Sequence, residues 1–222
     1  MAAHHSVIAI DGPAASGKSS VARRVAAELR FAYVNSGSLY RAIAWLANDR
    51  AVKPDDSQAV AKLLSQTSFR FDLRNNASAI SIDGVDPEPH LRSEAVNNVV
   101  SKISALNVVR EFLLGPLRQY AEQANLIMEG RDIGSAVFPD TPYKFYIDAS
   151  PEVRARRRAA EGQQDNLSSR DRLDASRTIA PLKIAPDAEV VDTSDLSLDQ
   201  VVALVLRRLE EKGLRRGPDE RA

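Results

Sequence analysis

The sequence contains no cysteine among its 222 residues, which excludes disulfide bonds, thiolate catalysis and cysteine-ligated zinc or iron–sulfur clusters. It has three histidines, too few to favour a histidine-rich metal site. No apolar run approaches the roughly 20 residues that a membrane span needs. The first residues also lack the basic and apolar regions of a signal peptide. We therefore expect a cytoplasmic protein with no membrane partner.

The chain also has no excess of charge of either sign, because 30 basic residues balance 30 acidic ones. This balance excludes a chain-wide basic coat for nucleic acid or anionic lipid, although it allows a local cluster. Hydrophobic residues (44%) and charged residues (27%) occur at the levels of ordinary folded proteins. The length corresponds to one large domain, or to one core with an inserted subdomain.

Short apolar strands alternate with helical periodicity along most of the chain, which predicts an α/β fold with a parallel sheet flanked by helices. The first strand, Ser6 to Asp11, precedes a glycine-rich turn and a helix from Lys18 to Arg30. Between residues 57 and 89 polar and apolar residues alternate about a turn, which predicts an antiparallel hairpin in an inserted subdomain rather than more parallel sheet. Residues 162–178 are polar and charged, and we expect a mobile surface segment there.

The turn after the first strand matches the phosphate-loop pattern G-x-x-x-x-G-K-[ST]. Its glycines let the backbone wrap an anion, and the following helix adds its positive N-terminal end. Lys18 would reach the β- and γ-phosphates, and the Ser19 hydroxyl would hold Mg²⁺. A chance glycine-rich turn is the alternative, but the position between strand and helix favours the motif. We assign ATP contacts to Gly12, Pro13, Ala14, Ala15, Ser16, Gly17, Lys18, Ser19 and Ser20.

A phosphate loop by itself fits a GTPase, an ATPase motor or a small-molecule kinase. The chain lacks the N-K-x-D pattern that many GTPases use to read guanine, which argues against the first. It has 23 arginines and seven lysines, and arginine suits transient clamping of several phosphate oxygens. Most arginines on helix surfaces need no such role, and we interpret Arg23 as one of these.

Five segments of the chain together resemble the bacterial cytidylate kinases, which transfer phosphate from ATP to CMP or dCMP. They are IAIDGPAASGKSS from Ile8, VNSGSLYRA from Val34, VSKISALNVVRE from Val100, EGRDIGSAVFPD from Glu129 and SRDRLDASRTIAPL from Ser169. The resemblance covers nearly the whole chain. It implies a P-loop kinase core (residues 1–56, 90–160 and 179–213), an acceptor-binding insert (about 57–89), a short lid (about 161–178) and a frayed tail (214–222).

The resemblance places the acceptor nucleotide among residues that follow the second predicted strand. Ser36, Tyr40 and Arg41 would belong to its pocket, with Arg41 on the phosphate, although Ser36 could instead be a helix N-cap. Ser101 and Arg110 would complete the contacts to the base. Without the resemblance, Ser101 would be an ordinary helix serine.

The resemblance also assigns roles to the E-G-R-D segment. Arg131 would bind the acceptor phosphate. Asp132 would accept a hydrogen bond from the exocyclic amine of cytosine, where the O4 of uracil would meet it unfavourably. Glu129 lies close enough to the phosphate loop, in this fold, to order a metal-bound water.

The last segment is expected to belong to the lid. Arg170, Asp174 and Arg177 are spaced as one face of a helix, and the resemblance puts Asp174 on the ribose and both arginines on phosphates. An exposed, salt-bridged helix is the alternative. Arg154, Arg157 and Arg158 would begin the lid, with Arg157 contacting ATP.

Because the acceptor is already an oxyanion, no strong base is needed, and catalysis should rest on positioning and charge stabilisation. We assign the positioning and charge stabilisation to Mg²⁺ and to Lys18, Arg131, Arg170 and Arg177.

Three departures from the family pattern limit what can be carried over. Asn35 stands where the family usually has aspartate, the stretch 161–170 is shorter, and Asp86-Pro87-Glu88-Pro89 replaces the usual sequence beside the hairpin. Two other functions stay open: a kinase for another nucleoside monophosphate or small hydroxyl substrate, and a nucleotide-dependent RNA-binding switch that uses the Arg154–Arg158 cluster. We expect no nucleic-acid partner and a monomer.

Overall fold

The computed structural model describes residues 5–160 and 167–214, except for the side chains of 168–170. Its strands are β1 (Val7–Asp11), β2 (Ala32–Asn35), β3 (Phe69–Arg74), β4 (Ala77–Ile82), β5 (Leu126–Gly130), β6 (Tyr143–Asp148) and β7 (Glu189–Asp192). Its helices are α1 (Lys18–Leu29), α2 (Ser36–Asp49), α3 (Ser57–Ser65), α4 (Glu94–Ala105), α5 (Asn107–Gln123), α6 (Pro151–Ala160), α7 (Leu167–Ala175) and α8 (Leu198–Glu211). A 3₁₀ turn (Glu88–His90) and a π-helical turn (Ile133–Val137) complete the regular structure.

The strands form one sheet in the order β3-β4-β2-β5-β1-β6-β7, and every neighbouring pair except β3 and β4 is parallel. β1 lies in the interior, with β5 on one side and β6 on the other. Ligands of open α/β sheets bind at the carboxyl ends of such interior strands. The residues that follow β1, β2 and β5 therefore emerge at the same edge.

Hydrophobic layers cover both faces of the sheet, because successive strand residues point to opposite sides. In β1, Val7 and Ala9 pack in the layer that contains α2, α4 and α5. Ile8 and Ile10 pack in the layer that contains α1 and α8. The α/β fold class predicted from the sequence is thereby confirmed.

The predicted hairpin is present, but it belongs to the main sheet. β3 and β4 pair antiparallel from Phe69 opposite Ile82 to Arg74 opposite Ala77. β4 also pairs parallel with β2, and the Tyr33 N–H donates to the carbonyl of Asn76 at 2.8 Å. The antiparallel pairing of the hairpin is confirmed, and its place in an inserted subdomain stays a prediction. The alternating pattern indicates how the two strands pair with each other, but not which sheet edge they join.

The C-terminal third contains the segment expected to be a mobile surface. It includes α7, residues 161–166 lie outside the described part of the chain, and the mobility of the segment stays a prediction. Leu214, assigned above to the frayed tail, is 7% exposed and packs in the α1 and α8 layer. The rest of that tail, 215–222, is also outside the described residues.

Candidate active site

A cavity of about 320 Å³ lies where the ends of β1, β2 and β5 meet, a size that falls in the range of small-molecule sites. It brings together residues that the sequence analysis assigned to both nucleotides. Those that line it are Ala14, Lys18, Ser19, Ser20, Ser36, Tyr40, Arg41, Ser101, Arg131, Asp132, Asp174 and Arg177. Residues predicted for each nucleotide thus face one continuous space, although some predicted residues do not line it: Gly12, Pro13, Ala15, Ser16, Gly17, Arg110 and Arg157.

Positive charge predominates around this cavity. Among the described residues, seven cationic side chains line it: Lys18, Arg23, Arg41, Arg92, Arg131, Arg158 and Arg177. Four carboxylates do so: Glu88, Glu129, Asp132 and Asp174. Such an excess in a concave site concentrates field lines and favours an anionic ligand.

The phosphate loop leads from β1 into α1. Gly12 has φ of +154°, and a Cβ at this position would lie only 2.1 Å from the carbonyl oxygen of Ile147. Any side chain here would therefore push the loop off the sheet. Lys18 is buried, and its Nζ donates to the carbonyl of Pro13 at 3.0 Å, so the ammonium is folded across the loop. The N-terminus of α1 points its dipole into the same region.

Glu129, at the end of β5, connects the loop to β2. Its Oε2 accepts from the Ser19 hydroxyl at 2.7 Å, and its Oε1 accepts from the Tyr33 hydroxyl at 2.5 Å. Burial raises the pKa of Tyr33, and the Glu129 carboxylate raises it further, so the phenol remains a donor. A hydroxyl and a carboxylate oxygen beside a phosphate loop are the hard oxygen ligands that Mg²⁺ prefers. The donor set therefore fits this ion, directly or through water.

Asp132 also lines the cavity and is almost fully buried. Its Oδ2 forms an ion pair with the Arg110 guanidinium, which also stacks over the Tyr40 ring at 5.4 Å. Burial raises the pKa of the Asp132 carboxyl, and the charge of Arg110 opposes that shift. Burial also raises the pKa of Tyr40 to about 12. Arg110 stands behind Asp132 rather than on the cavity wall, so its contact with the base stays a prediction.

Asp174 holds two of the predicted phosphate-binding arginines. Its Oδ2 accepts from Arg131 Nε at 2.9 Å, and its Oδ1 forms an ion pair with Arg177. α7 ends at Ala175, so Arg177 lies beyond the helix, and the expected single helix face was wrong. The side chain of Arg177 is 6% exposed, and its Nε has no hydrogen-bond partner among the described residues. Arg177 lines the cavity, so its guanidinium could contact a ligand there.

Two residues after β2 have definite partners. Ser36 is not the helix cap considered above, because Asn35 is: Asn35 Oδ1 accepts from the Ser38 N–H at 3.1 Å. The Ser36 hydroxyl instead donates to the carbonyl of Glu129 at 2.8 Å. Arg41 Nη1 donates to Asn97 Oδ1 at 2.7 Å, which turns its guanidinium toward α4.

The arginines of α6 differ in what they contact. Arg157 donates to the Ser16 carbonyl at 3.0 Å and to Thr193, so it supports the loop backbone, whereas Arg158 lines the cavity. Contact of Arg157 with ATP therefore stays a prediction that this arrangement does not favour. Arg154 pairs with Asp171 of α7. Such internal partners disfavour a basic patch open to RNA. The side chain of Arg170 lies outside the described residues.

Several residues of the site were missed by the sequence analysis. Arg23, interpreted as a surface residue, lines the cavity and stacks over the Tyr33 ring at 5.1 Å. Asp11 accepts from the N–H groups of Ile133 and Gly134, each at 2.8 Å, and so fixes the turn after Asp132. A buried acid that directly precedes the phosphate loop was the available signal.

Comparison with known proteins agrees with this geometry. The family model described as cytidylate kinase matches residues 8–211. The chain belongs to the cytidylate kinase family. A cytidylate kinase of Chromobacterium violaceum is 42% identical over 93% of this chain and 96% of the relative. One from Shouchella clausii is 39% identical over 92% and 96% of the two chains.

Family membership confirms the predicted resemblance and identifies the chain as a kinase of the nucleoside monophosphate type. Among solved structures, the thymidylate kinase of Candida albicans superimposes with a TM-score of 0.52 at 13% identity, covering 95% of this chain and 93% of that one. That similarity shows a shared fold. Across the described residues, no helix combines the length and apolarity needed to cross a bilayer.

Proposed function

We propose that the enzyme transfers the γ-phosphoryl group of ATP to CMP or dCMP, giving ADP and CDP or dCDP. The observation that carries the proposal is the single cavity that joins the phosphate loop to the buried Asp132–Arg110 pair. One end offers a loop, a lysine and a helix N-terminus to a triphosphate. The other offers a buried carboxylate to a base.

The donor end supports ATP with Mg²⁺. Lys18 lies across the loop and would neutralise charge on the β- and γ-phosphates. Ser19 and Glu129 would hold Mg²⁺, which when bound spreads the charge of the transferring phosphoryl group. The part of the chain that the structure describes has no cluster of three histidine or acidic side chains arranged for a metal, so the phosphates would supply further ligands.

The acceptor end supports a cytosine base. Arg110 occupies one side of the Asp132 carboxylate and favours its ionised, hydrogen-bond-accepting form. A carboxylate accepts from the N4 amino group of cytosine but meets a repulsive acceptor in the O4 of uracil. Because Asp132 is buried, the wrong base would leave its second oxygen facing an acceptor in place of a donor. A site of that kind can discriminate strongly.

The transfer step requires cations between the two nucleotides rather than a base. Arg131 and Arg177 both pair with Asp174, and both line the cavity that the loop and Asp132 also line. They would offset the repulsion between acceptor phosphate and γ-phosphate in an in-line transfer. The guanidinium of Arg177, at the cavity wall, is a donor suited to a phosphate oxygen.

An ADP-release assay with CMP, dCMP, UMP and AMP as acceptors tests this function. We expect cytosine nucleotides to be phosphorylated best. Equal or faster turnover of AMP or UMP would instead favour a kinase for another nucleoside monophosphate. Retention on RNA with steep salt dependence, without phosphoryl transfer, would favour a nucleotide-dependent switch.

Variants measured in the same assay test the proposed roles of individual residues. Lys18→Ala and Arg131→Ala should each lower turnover roughly 100-fold or more, as is usual when a charge-stabilising group is lost. Asp132→Ala should lower kcat/KM for CMP much more than for ATP. Asp140→Ala removes an exposed acid from the same β5–β6 connection and serves as the matched control.

A further inference from the structure

Ser104, in the last turn of α4, contacts three residues of the predicted acceptor site. Its carbonyl accepts from Arg110 Nη1 at 3.1 Å. Its hydroxyl accepts from Arg177 Nη2 at 2.8 Å and donates to the Ser101 carbonyl at 3.2 Å. The side chain is buried and lines the cavity. One residue therefore joins the arginine behind the base-reading carboxylate to the arginine placed for the phosphates.

We infer that Ser104 is a positioning residue whose hydroxyl holds Arg177 in place for the acceptor nucleotide. The inference rests on the proposed function, because it takes the space in front of Arg177 as the acceptor site. It assigns to this serine a role that neither its residue type nor its helical position indicates.

The geometry of Arg177 explains why a second anchor matters. The residue lies past the end of α7, where no helical backbone fixes the direction of its side chain. Asp174 holds the guanidinium from one side. A single carboxylate contact allows the planar group to pivot, whereas a second contact, to the Ser104 hydroxyl on α4, fixes its orientation. Arg177, which lines the cavity, is then held in one orientation there.

The alternative is that Ser104 is only a helix serine bonded to the carbonyl three residues back. Ser65 offers the same local arrangement, since its hydroxyl donates to the Lys62 carbonyl at 2.9 Å in the last turn of α3. Ser65 is exposed and does not line the cavity. Ser65→Ala therefore removes the same helical bond without touching Arg177, and it is the matched control for Ser104→Ala.

The test measures CMP dissociation constants by calorimetry, together with KM for CMP and ATP, on the full chain. We expect Ser104→Ala to weaken CMP binding roughly tenfold, equivalent to about 1.4 kcal/mol, because a buried bond to a charged donor is lost. KM for ATP should change less than twofold, and Ser65→Ala should behave as the parent protein.

A double-mutant cycle separates positioning from packing. In an Arg177→Ala background, Ser104→Ala should lower CMP affinity less than twofold, because the guanidinium that Ser104 positions is already absent. An equal loss in both backgrounds, or no loss in either, would overturn the inference. If the parent chain failed to phosphorylate CMP, the proposed function would fall. The same cycle, run with the nucleotide that it does phosphorylate, would then decide the role of Ser104.

Discussion

Asp11 shows how one buried side chain can connect the two halves of the site. It ends β1, directly before the phosphate loop, and both of its oxygens accept N–H groups from the turn that follows Asp132. The donor and acceptor ends are thus joined through a single carboxyl group. Burial is the largest influence on it and raises its pKa from 3.8 to about 7, and the neighbouring Asp132 adds to the shift.

The raised pKa predicts a pH-dependent cost of keeping Asp11 in the folded protein. Between about pH 4 and 7 the folded state keeps a proton that the unfolded state releases, so the stability contributed by Asp11 falls as pH rises. We predict that the unfolding free energy of the parent minus that of Asp11→Asn decreases across this window. Its slope should approach about 1.4 kcal/mol per pH unit. Urea denaturation of both proteins measures it, and a difference that is flat from pH 4 to 7 would contradict the account.

At the scale of single residues, the sequence predicted which residue types form the site better than it predicted the directions of their side chains. The phosphate-loop residues could be placed because their types and spacing have few other uses, whereas Asp132 was placed by the resemblance to cytidylate kinases. Arg157 and Arg158 are adjacent and identical in type, yet one supports the loop backbone and the other lines the cavity. Ser104 carries no sequence signal, since its importance depends on two arginines distant in the chain.

Among the elements, α2 has a start that the sequence makes unusual for its family. Asn35, where the family usually has aspartate, caps the helix through its Oδ1, and its Nδ2 lies 3.4 Å from the Tyr33 hydroxyl. The cap therefore needs only an oxygen and no charge. A neutral cap also places no second negative charge beside Glu129, which the same Tyr33 contacts.

We predict that Asn35→Ala lowers the unfolding free energy by about 1 kcal/mol relative to Asn35→Ser. Both variants lose the amide contact to Tyr33, so the difference between their unfolding free energies measures the contribution of the capping oxygen. Denaturant titration of the two proteins provides the comparison. Equal stability would mean that the start of α2 is held by other contacts.

Periodicity predicted most elements because their faces are buried against a sheet. It correctly placed the helix from Lys18 and the strand before the phosphate loop, whose apolar stripes match the two hydrophobic layers. α7 has no such stripe, and only the spacing of its charged residues indicated a helix, which Asp171 and Asp174 fix to the rest of the molecule. Periodicity failed to show that β4 joins β2, because edge pairing depends on backbone groups alone.

At the scale of the whole molecule, the Asp171 carboxylate joins α7 to the phosphate loop. Asp171 Oδ1 accepts from the Ala14 N–H at 3.2 Å, and its Oδ2 pairs with Arg154 of α6. A loop N–H and an arginine that could both serve a phosphate are thus occupied by an internal anion. A triphosphate entering the loop would compete with this carboxylate and be repelled by it.

We therefore predict that Asp171→Ala binds a non-hydrolysable ATP analogue roughly threefold to tenfold more tightly than the parent protein, equivalent to about 1 kcal/mol. Calorimetry measures the affinity. Asp199→Ala, which removes an exposed acid from α8, should leave it unchanged. Weaker binding by Asp171→Ala would show that the carboxylate supports ATP instead of competing with it.

We expect one cavity to hold two nucleotides end to end, with cytosine at Asp132. Calorimetric titration with adenosine and cytidine joined by five phosphates tests it most directly, because this ligand must reach both ends at once. We predict one molecule bound per chain, displacing both ATP and CMP, with affinity lost in Asp132→Ala. Simultaneous binding of CMP and the joined ligand, or displacement of ATP alone, would contradict the account.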